Sequence, residues 1–335
     1  MVVNKLDFVT VGIICKNEAK FIGKTLNYLI KQTYPKKNWE LIVVDGSSTD
    51  NTVSVINSFK KRINFKLLHE AKFTKKIYET GPCFARNLII NNSSKKSKYI
   101  AFLDADCRPD KNWLEKLVRT IQTSGDSVAG VGGPRLAEKT NNDFERLVGT
   151  YLTSFFGSGG AGGMSVKNKS EVKSISNHSC IYKKNILNKF KYDNKLRISD
   201  DNELNYRINK GGYIFLINNT VKNYRHEAEN LNEFVKNMIS YGDNIGRSTL
   251  KHRALIRYFS IVPLLFYIGL IAEFIFMNSF VLLYVYVLFI SLATMNVFKK
   301  NKSLYALYLP QLMILHHLAY TYGFLKRILF GLPYK

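Results

Sequence analysis

The first two thirds of the chain alternate between short apolar runs and segments of helical periodicity. The runs have the length of buried strands and cover residues 8–14, 39–44, 63–68, 99–103 and 127–131. Between them, residues 18–32 and 81–92 are predicted to form helices. Strands that alternate with helices predict an α/β fold with a mostly parallel sheet, whose ligand site lies at the carboxyl ends of the strands.

The last third of the chain is nearly all apolar. Residues 259–277 and 280–298 are candidate membrane spans, because about 20 apolar residues are needed to cross a bilayer. A third apolar segment, residues 304–325, contains Pro310 and two histidines, so it is compatible with an interfacial helix or with a further span. We therefore predict a domain over residues 1–250 and a membrane-associated helical region over residues 251–335.

The charge of the chain limits its partners. The formal net charge is +24, from 49 Lys and Arg against 25 Asp and Glu, which predicts a polyanionic partner such as nucleic acid, lipid headgroups or a phosphorylated substrate. The lysines are spread through loops without a nucleic-acid-binding motif, so no nucleic acid is expected. Basic clusters at 247–257 and 299–302 flank the apolar segments and predict a cell-membrane protein whose N-terminal domain is cytoplasmic.

Three carboxylates directly follow predicted strands. Asp45 comes after residues 39–44, and Asp104 and Asp106 come after residues 99–103. Alternation directs Asp104 and Asp106 to the same side of an extended chain, where their charges repel unless a cation or a hydroxyl-rich ligand lies between them. Hard ions such as Mg²⁺ or Mn²⁺ prefer oxygen ligands. The pattern predicts a metal-diphosphate site, although each residue alone is also typical of a polar turn.

A second acidic pair, Asp200 and Asp201, stands at the start of a predicted helix. Ser199 can cap this helix, and Leu204 and Ile208 form its apolar face. Acidic side chains are favoured at a helix N-terminus by the helix dipole, so a capping role explains the pair. A carboxylate that stays ionised there would equally serve as a general base, and the sequence leaves both roles open.

Together these segments resemble the family 2 glycosyltransferases of the GT-A fold over about residues 8–247. The resemblance rests on the order and spacing of several motifs. They are Ile14-Cys-Lys-Asn-Glu18, Gln32-Thr-Tyr-Pro35, Val43-Val-Asp-Gly-Ser-Ser-Thr-Asp-Asn-Thr52, Ala85-Arg-Asn87, Phe102-Leu-Asp-Ala-Asp106 and Asp200-Asp-Asn-Glu-Leu-Asn-Tyr-Arg207. The later motifs, with Gly211-Gly212 and Tyr241-Gly242, are similar to the exopolysaccharide branch that includes the succinoglycan glucosyltransferases.

The resemblance implies a role for each matching residue. It implies nucleotide-sugar binding by Asp45, Asn17, Glu18, Arg86 and Asp104, and metal binding by Asp106 and Asp104. Asp201 would be the catalytic base, with Asp200 as the alternative because relatives usually have Glu-Asp at this point. His178 and His226 are expected to be packed or solvated, although a histidine contacts the metal or the diphosphate in some relatives.

The implied reaction is inverting and metal-dependent. It moves one sugar from a nucleoside-diphosphate sugar, expected to be a UDP-hexose, to a lipid-linked or polysaccharide acceptor at the cytoplasmic membrane face. The Gln-x-x-Arg-Trp signature of processive synthases is missing, which favours one sugar per encounter. Two other functions stay open: a polyprenyl-phosphate monosaccharide synthase, and an inactive membrane-anchored subunit that binds nucleotide sugars.

Overall fold

The computed structural model describes residues 6–74, 80–158, 169–196, 200–256, 258–277 and 279–331 of the 335-residue chain. The contacts within the chain divide it into two compact units. The first comprises the described residues of Met1–Leu136 and Gly162–Arg225, and the second comprises those of Ala137–Ala161 and His226–Lys335. The domain boundary predicted at residue 250 stays a prediction.

Strands and helices alternate over most of the first unit, and the second unit is helical. The elements of both units are numbered together in chain order. The strands are β1 Phe8–Cys15, β2 Trp39–Asp45, β3 Phe65–His69, β4 Ser97–Asp104, β5 Cys107–Pro109, β6 Val128–Gly132, β7 Leu136–Ala137, β8 Lys169–Val172, β9 Ser179–Lys183, β10 Ile214–Asn218 and β11 Asn223–Arg225. The α-helices are α1 Ile22–Ile30, α2 Thr52–Ser58, α3 Pro82–Asn92, α4 Trp113–Gln122, α5 Asp143–Leu152, α6 Phe155–Ser158, α7 Lys184–Phe190, α8 Asp200–Lys210, α9 Leu231–Lys251, α10 Tyr258–Ala272, α11 Val281–Asn301 and α12 Leu309–Phe330.

The main sheet has the strand order β3-β2-β1-β4-β9-β6-β10-β8. Strand β1 pairs in parallel with β2 and β4, β2 pairs in parallel with β3, and β10 pairs in parallel with β6. Strand β9 runs antiparallel between β4 and β6, and β8 runs antiparallel to β10 at the edge. This mixed sheet with flanking helices confirms the predicted α/β class.

The parallel register sets the edge at which the central strands end. Strand β1 is buried or half-buried along its whole length, as expected of a parallel strand whose two faces are covered by helices. The register places Cys15 opposite Asp45 and Ile14 opposite Asp104. Strands β1, β2 and β4 therefore end together, and their last side chains share one edge of the sheet.

The second unit is helical and has its own apolar core. Leu147 of α5, Ile290 of α11 and Leu312 of α12 belong to that core. Helices α9 and α12 pack closely because glycine stands at their contact: a Cβ added to Gly242 would lie 2.0 Å from the carbonyl oxygen of Tyr320. Residues between β7 and α6 thus fold with the C-terminal helices.

The apolar segments of this unit differ in length and exposure. Among the helices in the described ranges, the segment Val281–Lys300 is long and apolar enough to cross a membrane, whereas Ile261–Met277 is shorter. Side chains on both are largely exposed, with Phe276 at 82% and Tyr284 at 71%. The segment predicted at 304–325 forms a 3-10 turn, Leu304–Tyr308, and most of α12. The two-span hairpin stays a prediction.

Glu273 lies in a π-helical turn, Glu273–Met277, that follows α10. Its Oε1 accepts a hydrogen bond from the N–H of Val281 at 2.8 Å, and its Oε2 accepts one from Leu282 at 3.0 Å. The first N–H groups of a helix have no partner within the helix. Glu273 therefore caps α11, which explains an acidic residue within an apolar segment.

Candidate active site

Three predicted site residues of the first unit lie where neighbouring strands end. Asp45 is the last residue of β2, Asp104 is the last residue of β4, and Asp106 follows two residues later. Because β1 lies between β2 and β4 in the sheet, the ends of all three strands form one edge. The predicted site residues on these strands are therefore on the side where parallel α/β sheets bind ligands.

Asp45 is buried, and its carboxylate is held by the loop that follows β2. Its Oδ1 accepts a hydrogen bond from the N–H of Ser48 at 3.2 Å. Its Oδ2 lies 3.3 Å from Nδ1 of His69, the residue opposite Asp45 on β3. The orientation of this carboxylate is therefore fixed on both sides before any ligand arrives.

Asn17 shapes the same loop from the end of β1. Its backbone has a φ of 56°, a left-handed conformation that Asn adopts more readily than most residues. Its side-chain oxygen accepts a hydrogen bond from the N–H of Thr49 at 2.8 Å, and its own N–H donates to Oγ of Ser48 at 2.9 Å. Asn17 thus organises the loop after Asp45. Its predicted contact with the nucleotide stays a prediction.

Arg225 lies beside both aspartates at the end of β4. Its Nε donates to Oδ2 of Asp106 at 3.2 Å, and its Nη1 lies 3.7 Å from Oδ2 of Asp104. Strand β11 carries Arg225, and its antiparallel pairing with β5 places Arg225 opposite Cys107. The guanidinium therefore partly balances the two carboxylates that the sequence places together.

The charges of Asp104, Asp106 and Arg225 also act on the carboxyl group of Glu18. Burial raises the pKa of Glu18 to about 7, Asp106 and Asp104 act in the same direction, and Arg225 opposes them. Burial is the largest cause, and the contributions of Asp106 and Asp104 show that their negative charge acts on Glu18. A cation or a cationic side chain is the group that such a site favours.

The aspartates fit a divalent ion. Oδ1 of Asp106 is buried and has no hydrogen-bond partner within the described ranges. A buried carboxylate oxygen without a partner is costly unless a donor or a cation binds it. Carboxylate oxygens are the ligands that Mg²⁺ and Mn²⁺ prefer. Asp106 and Asp104 are therefore suited to hold such an ion, and their role as its ligands stays a prediction.

Arg86 is a buried cation on α3. Its guanidinium carbon lies 5.8 Å from the ring centre of Phe102 and 5.9 Å from that of Tyr192, and its Nη2 lies 3.6 Å from Oδ1 of Asp104. Helix α3 approaches β1 closely at Gly12, where an added Cβ would lie 2.7 Å from Ile89. This close packing and the aromatic contacts keep Arg86 beside Asp104.

The acidic pair Asp200 and Asp201 begins α8, but the side chain of Asp200 and the predicted cap Ser199 lie outside the described residues. Oδ1 of Asp201 accepts a hydrogen bond from the N–H of Asn202 at 2.7 Å. Burial raises the pKa of Cys180 on β9, and Asp201 and Asp104 both raise it further. Asp201 is therefore near enough to β9, the strand that pairs with β4, for its charge to act on the Cys180 thiol.

Sequence reasoning missed His69 and Arg225. His69 ends a run in which nothing marks it as the partner of Asp45, and only the β2–β3 register reveals the pairing. Arg225 is 119 positions from Asp106 along the chain. The only local indication of Arg225 is its place at the end of a short strand, next to His226.

His178 is packed in the first unit rather than solvated. Burial lowers its pKa to about 3, and the nearby cations Arg225 and Arg135 lower it further. The imidazole is therefore neutral at physiological pH. Nε2 of His178 has no hydrogen-bond partner within the part of the chain that the structure describes.

His226 belongs to a separate group of ligand-type side chains in the second unit. Its Nδ1 lies 2.7 Å from Oε1 of Glu145. One ligand atom each of Glu138, Glu145 and His226 lies within 4.8 Å of the others. These three residues could also hold a divalent ion, although the Glu145–His226 contact is equally explained as a hydrogen-bonded pair.

The chain resembles known proteins over most of its length. Residues 10–190 match the description "Glycosyl transferase family 2". A Methanococcus voltae protein named dolichyl N-acetyl-alpha-D-glucosaminyl phosphate 3-beta-D-2,3-diacetamido-2,3-dideoxy-beta-D-glucuronosyltransferase is 26% identical over 338 residues, which cover 97% of this chain and 98% of that protein. Glycosyltransferase AglE of Haloferax volcanii is 42% identical over 129 residues, which cover 38% of this chain and 39% of AglE.

Solved structures share the fold. The mannosyltransferase PcManGT from Pyrobaculum calidifontis, in complex with GDP-Man and Mn²⁺, aligns with a TM-score of 0.54 at 20% identity and covers 74% of this chain and 64% of that chain. Staphylococcus aureus TarS in complex with UDP-GlcNAc aligns with a TM-score of 0.50 at 17% identity, over 95% of this chain and 91% of that one. These likenesses confirm the predicted GT-A architecture.

Proposed function

Because the chain belongs to glycosyl transferase family 2 and is a glycosyltransferase, we propose that it moves one hexose from a nucleoside-diphosphate sugar, UDP-linked, to a lipid-linked or polysaccharide acceptor at the cytoplasmic membrane face. The proposed reaction is a single displacement, which inverts the anomeric carbon. It is proposed to depend on Mg²⁺ or Mn²⁺.

One observation carries the proposal. Asp45, Asp104 and Asp106 are at one edge of one sheet, and Oδ1 of Asp106 has no hydrogen-bond partner within the described residues. A nucleoside diphosphate needs a neutralising cation and an oriented carboxylate for its base or ribose. This edge has an oriented carboxylate, since Asp45 is held by Ser48 and His69, and it has in Asp104 and Asp106 two aspartates suited to hold the cation.

In the proposed reaction, Asp201 is the general base. Asp201 would accept the proton of the acceptor hydroxyl as that oxygen attacks the anomeric carbon. It lies in the first turn of α8, where the helix dipole stabilises acidic side chains. The bond between the anomeric carbon and the diphosphate oxygen breaks in the same step, which leaves negative charge on the departing nucleoside diphosphate.

Cationic groups would stabilise that departing charge. Arg86 and Arg225 both lie beside Asp104 and so are placed near the proposed diphosphate position. A divalent ion held by Asp106 and Asp104 would supply Lewis-acid neutralisation of the diphosphate oxygens. Fixed positive groups of this kind favour the transition state because they need no reorganisation during the reaction.

A lipid-linked acceptor is supported by two independent features. The apolar segment Val281–Lys300 of the second unit is long enough to cross a bilayer. The Methanococcus voltae relative, which matches nearly the whole chain, is named for a dolichyl phosphate-linked sugar acceptor. An acceptor carried on a membrane lipid would reach an enzyme that is anchored in the same membrane.

The test uses membranes that contain the full chain. They are incubated with radiolabelled nucleotide sugars, with and without Mn²⁺, and with a lipid extract or polyprenyl phosphate alone. Asp201→Asn should lower turnover by about 10²-fold or more with unchanged donor binding, because general-base catalysis contributes about 10²–10⁴-fold. Asp126→Asn is the matched control, since Asp126 is fully exposed.

Each outcome distinguishes the functions left open by the sequence. Transfer to polyprenyl phosphate alone would identify a monosaccharide synthase instead. Nucleotide-sugar binding without transfer to any acceptor would identify an inactive binding subunit. Full turnover by Asp201→Asn would exclude Asp201 as the base.

A further inference from the structure

Asn205 is a fully buried amide on α8, one helical turn after Asp201. Its side-chain oxygen accepts a hydrogen bond from the hydroxyl of Tyr182 at 2.9 Å. Its side-chain nitrogen donates to Oγ of Ser174 at 2.8 Å and to the carbonyl oxygen of Ile175 at 2.7 Å. The oxygen and both hydrogens of the amide are therefore used, so only one orientation of Asn205 satisfies all three contacts.

One partner of Asn205, Tyr182, belongs to the centre of the sheet, and the other two, Ser174 and Ile175, lie in the segment between β8 and β9. Tyr182 lies on β9, opposite Ile100 of β4, the strand that ends at Asp104. The ring of Tyr182 is fully buried and contacts the ring of Phe102 edge to face, at 6.2 Å between the ring centres. Asn205 thus ties the helix of Asp201 to the strand pair of Asp104.

A second set of hydrogen bonds, made by Glu203 and Arg207, holds another face of α8. Arg207 donates two hydrogen bonds to the buried carboxylate of Glu203, at 2.8 and 2.9 Å, and others to the carbonyl oxygens of Phe190 and Lys191. These hydrogen bonds join α8 to the end of α7. Asn205 joins α8 to the sheet through Tyr182, and it lies on the same face of the helix as Asp201, because residues four apart share a face.

We propose that Asn205 is a positioning residue for the reaction: its three hydrogen bonds set the rotation and depth of α8 and thereby hold the Asp201 carboxylate at the acceptor hydroxyl. This inference rests on the proposed function, in which Asp201 is the base. A base that is displaced by a fraction of its hydrogen-bonding distance loses its near-attack geometry without any change in the donor site.

The experiment compares Asn205→Leu with Tyr182→Phe in the full-length protein. Asn205→Leu keeps the approximate size of the side chain and removes all three hydrogen bonds, whereas Tyr182→Phe removes one. We expect Asn205→Leu to lower kcat by about 10²-fold with an unchanged donor KM, and Tyr182→Phe to cause a smaller loss of the same kind. Tyr182→Phe also keeps the test valid if Asn205→Leu fails to fold.

Asn209→Ala is the matched control. Asn209 lies one turn further along α8, and its side chain donates to the carbonyl oxygen of Lys173 at an exposed position. Loss of this hydrogen bond removes an amide contact from the same helix without touching the link to β9. We expect kcat and KM of Asn209→Ala to equal those of the wild type.

A second measurement separates this inference from the proposed function. Asn205→Leu and Tyr182→Phe are each also made in the Asp201→Asn background. If Asn205 acts through Asp201, these substitutions should cause no further loss of the residual rate there. An equal fold loss in both backgrounds, a rise in donor KM, or a lower melting temperature with normal kcat would overturn the positioning role. Full activity of Asp201→Asn alone would instead overturn the assignment of the base.

Discussion

Replacement of Asp106 by Asn tests the proposed metal site most directly. The two side chains have nearly the same shape, so the substitution removes a charge without creating a cavity. Oδ1 of Asp106 has no hydrogen-bond partner within the described residues, and Oδ2 accepts from Nε of Arg225 at 3.2 Å. The substitution therefore weakens one observed contact and removes the charge that a divalent ion would bind.

The expected loss of UDP affinity follows from the number of charged contacts that the substitution removes. A hydrogen bond or ligand contact to a charged group contributes about 1.5–3 kcal/mol. Loss of one such contact predicts about 10- to 150-fold weaker binding of UDP in the presence of Mn²⁺. Without Mn²⁺, the affinity of Asp106→Asn for UDP should be close to that of the wild type, because the ion-mediated contact is missing from both proteins.

The assay is isothermal titration calorimetry on the detergent-solubilised full chain, with UDP as the probe and with or without Mn²⁺. Asp110→Asn is the matched control. Asp110 is four residues further along the same segment, and its backbone carbonyl oxygen accepts a hydrogen bond from Gln32 at 2.9 Å, a contact that the side-chain substitution leaves intact. Mn²⁺-dependent UDP binding by Asp110→Asn should match the wild type.

One result of this titration would refute a metal-binding role for Asp106. If Asp106→Asn had the wild-type melting temperature and also the wild-type, Mn²⁺-dependent affinity for UDP, Asp106 would not ligate the ion. The ion would then have to bind elsewhere, and the three ligand-type residues of the second unit, Glu138, Glu145 and His226, would be the next candidates.

Two further predictions concern a cation and a helix contact. Arg225→Met should strengthen Mn²⁺ binding but slow sugar transfer, because the guanidinium competes with a cation for Asp104 and Asp106 and lies near the proposed position of the diphosphate. Weaker Mn²⁺ binding in a calorimetric titration would contradict this prediction. Gly242→Ala should destabilise the protein by about 1–3 kcal/mol, since the added Cβ would meet the carbonyl oxygen of Tyr320 at 2.0 Å, and thermal unfolding would measure the loss. Gly125→Ala, where the nearest atom is 3.9 Å away, is its control, and equal melting temperatures for both variants would be inconsistent with the close helix contact.

The pattern of the sequence was sufficient for the fold class and for part of the site. Asp45 and Asp104 end apolar strands, and parallel strands expose their carboxyl ends at one edge, so their common edge follows from local pattern and topology alone. The motif order added the family, which the match over residues 10–190 confirms. The roles of the individual site residues stay predictions.

Other features depend on pairings that no local pattern contains. The sequence predicted a mostly parallel sheet, but only the fold placed β9 antiparallel between β4 and β6 and so brought Tyr182 under α8. The position of Arg225 beside Asp106 depends on the β5–β11 pairing, and the contact of His69 with Asp45 depends on the β2–β3 register.

The physical reason for this difference is that strands and helices depend on neighbouring residues, whereas the contacts of the site depend on residues far apart in the sequence. Hydrophobic periodicity reports which face of a strand or helix is buried, and that property is written in neighbouring residues. The partner of a buried charge or amide is chosen by packing and register among residues that can be more than a hundred positions apart, as Arg225 and Asp106 are. The sequence by itself therefore determined the strands and their acidic ends, and the tertiary structure alone decided which cations and amides hold those acids in place.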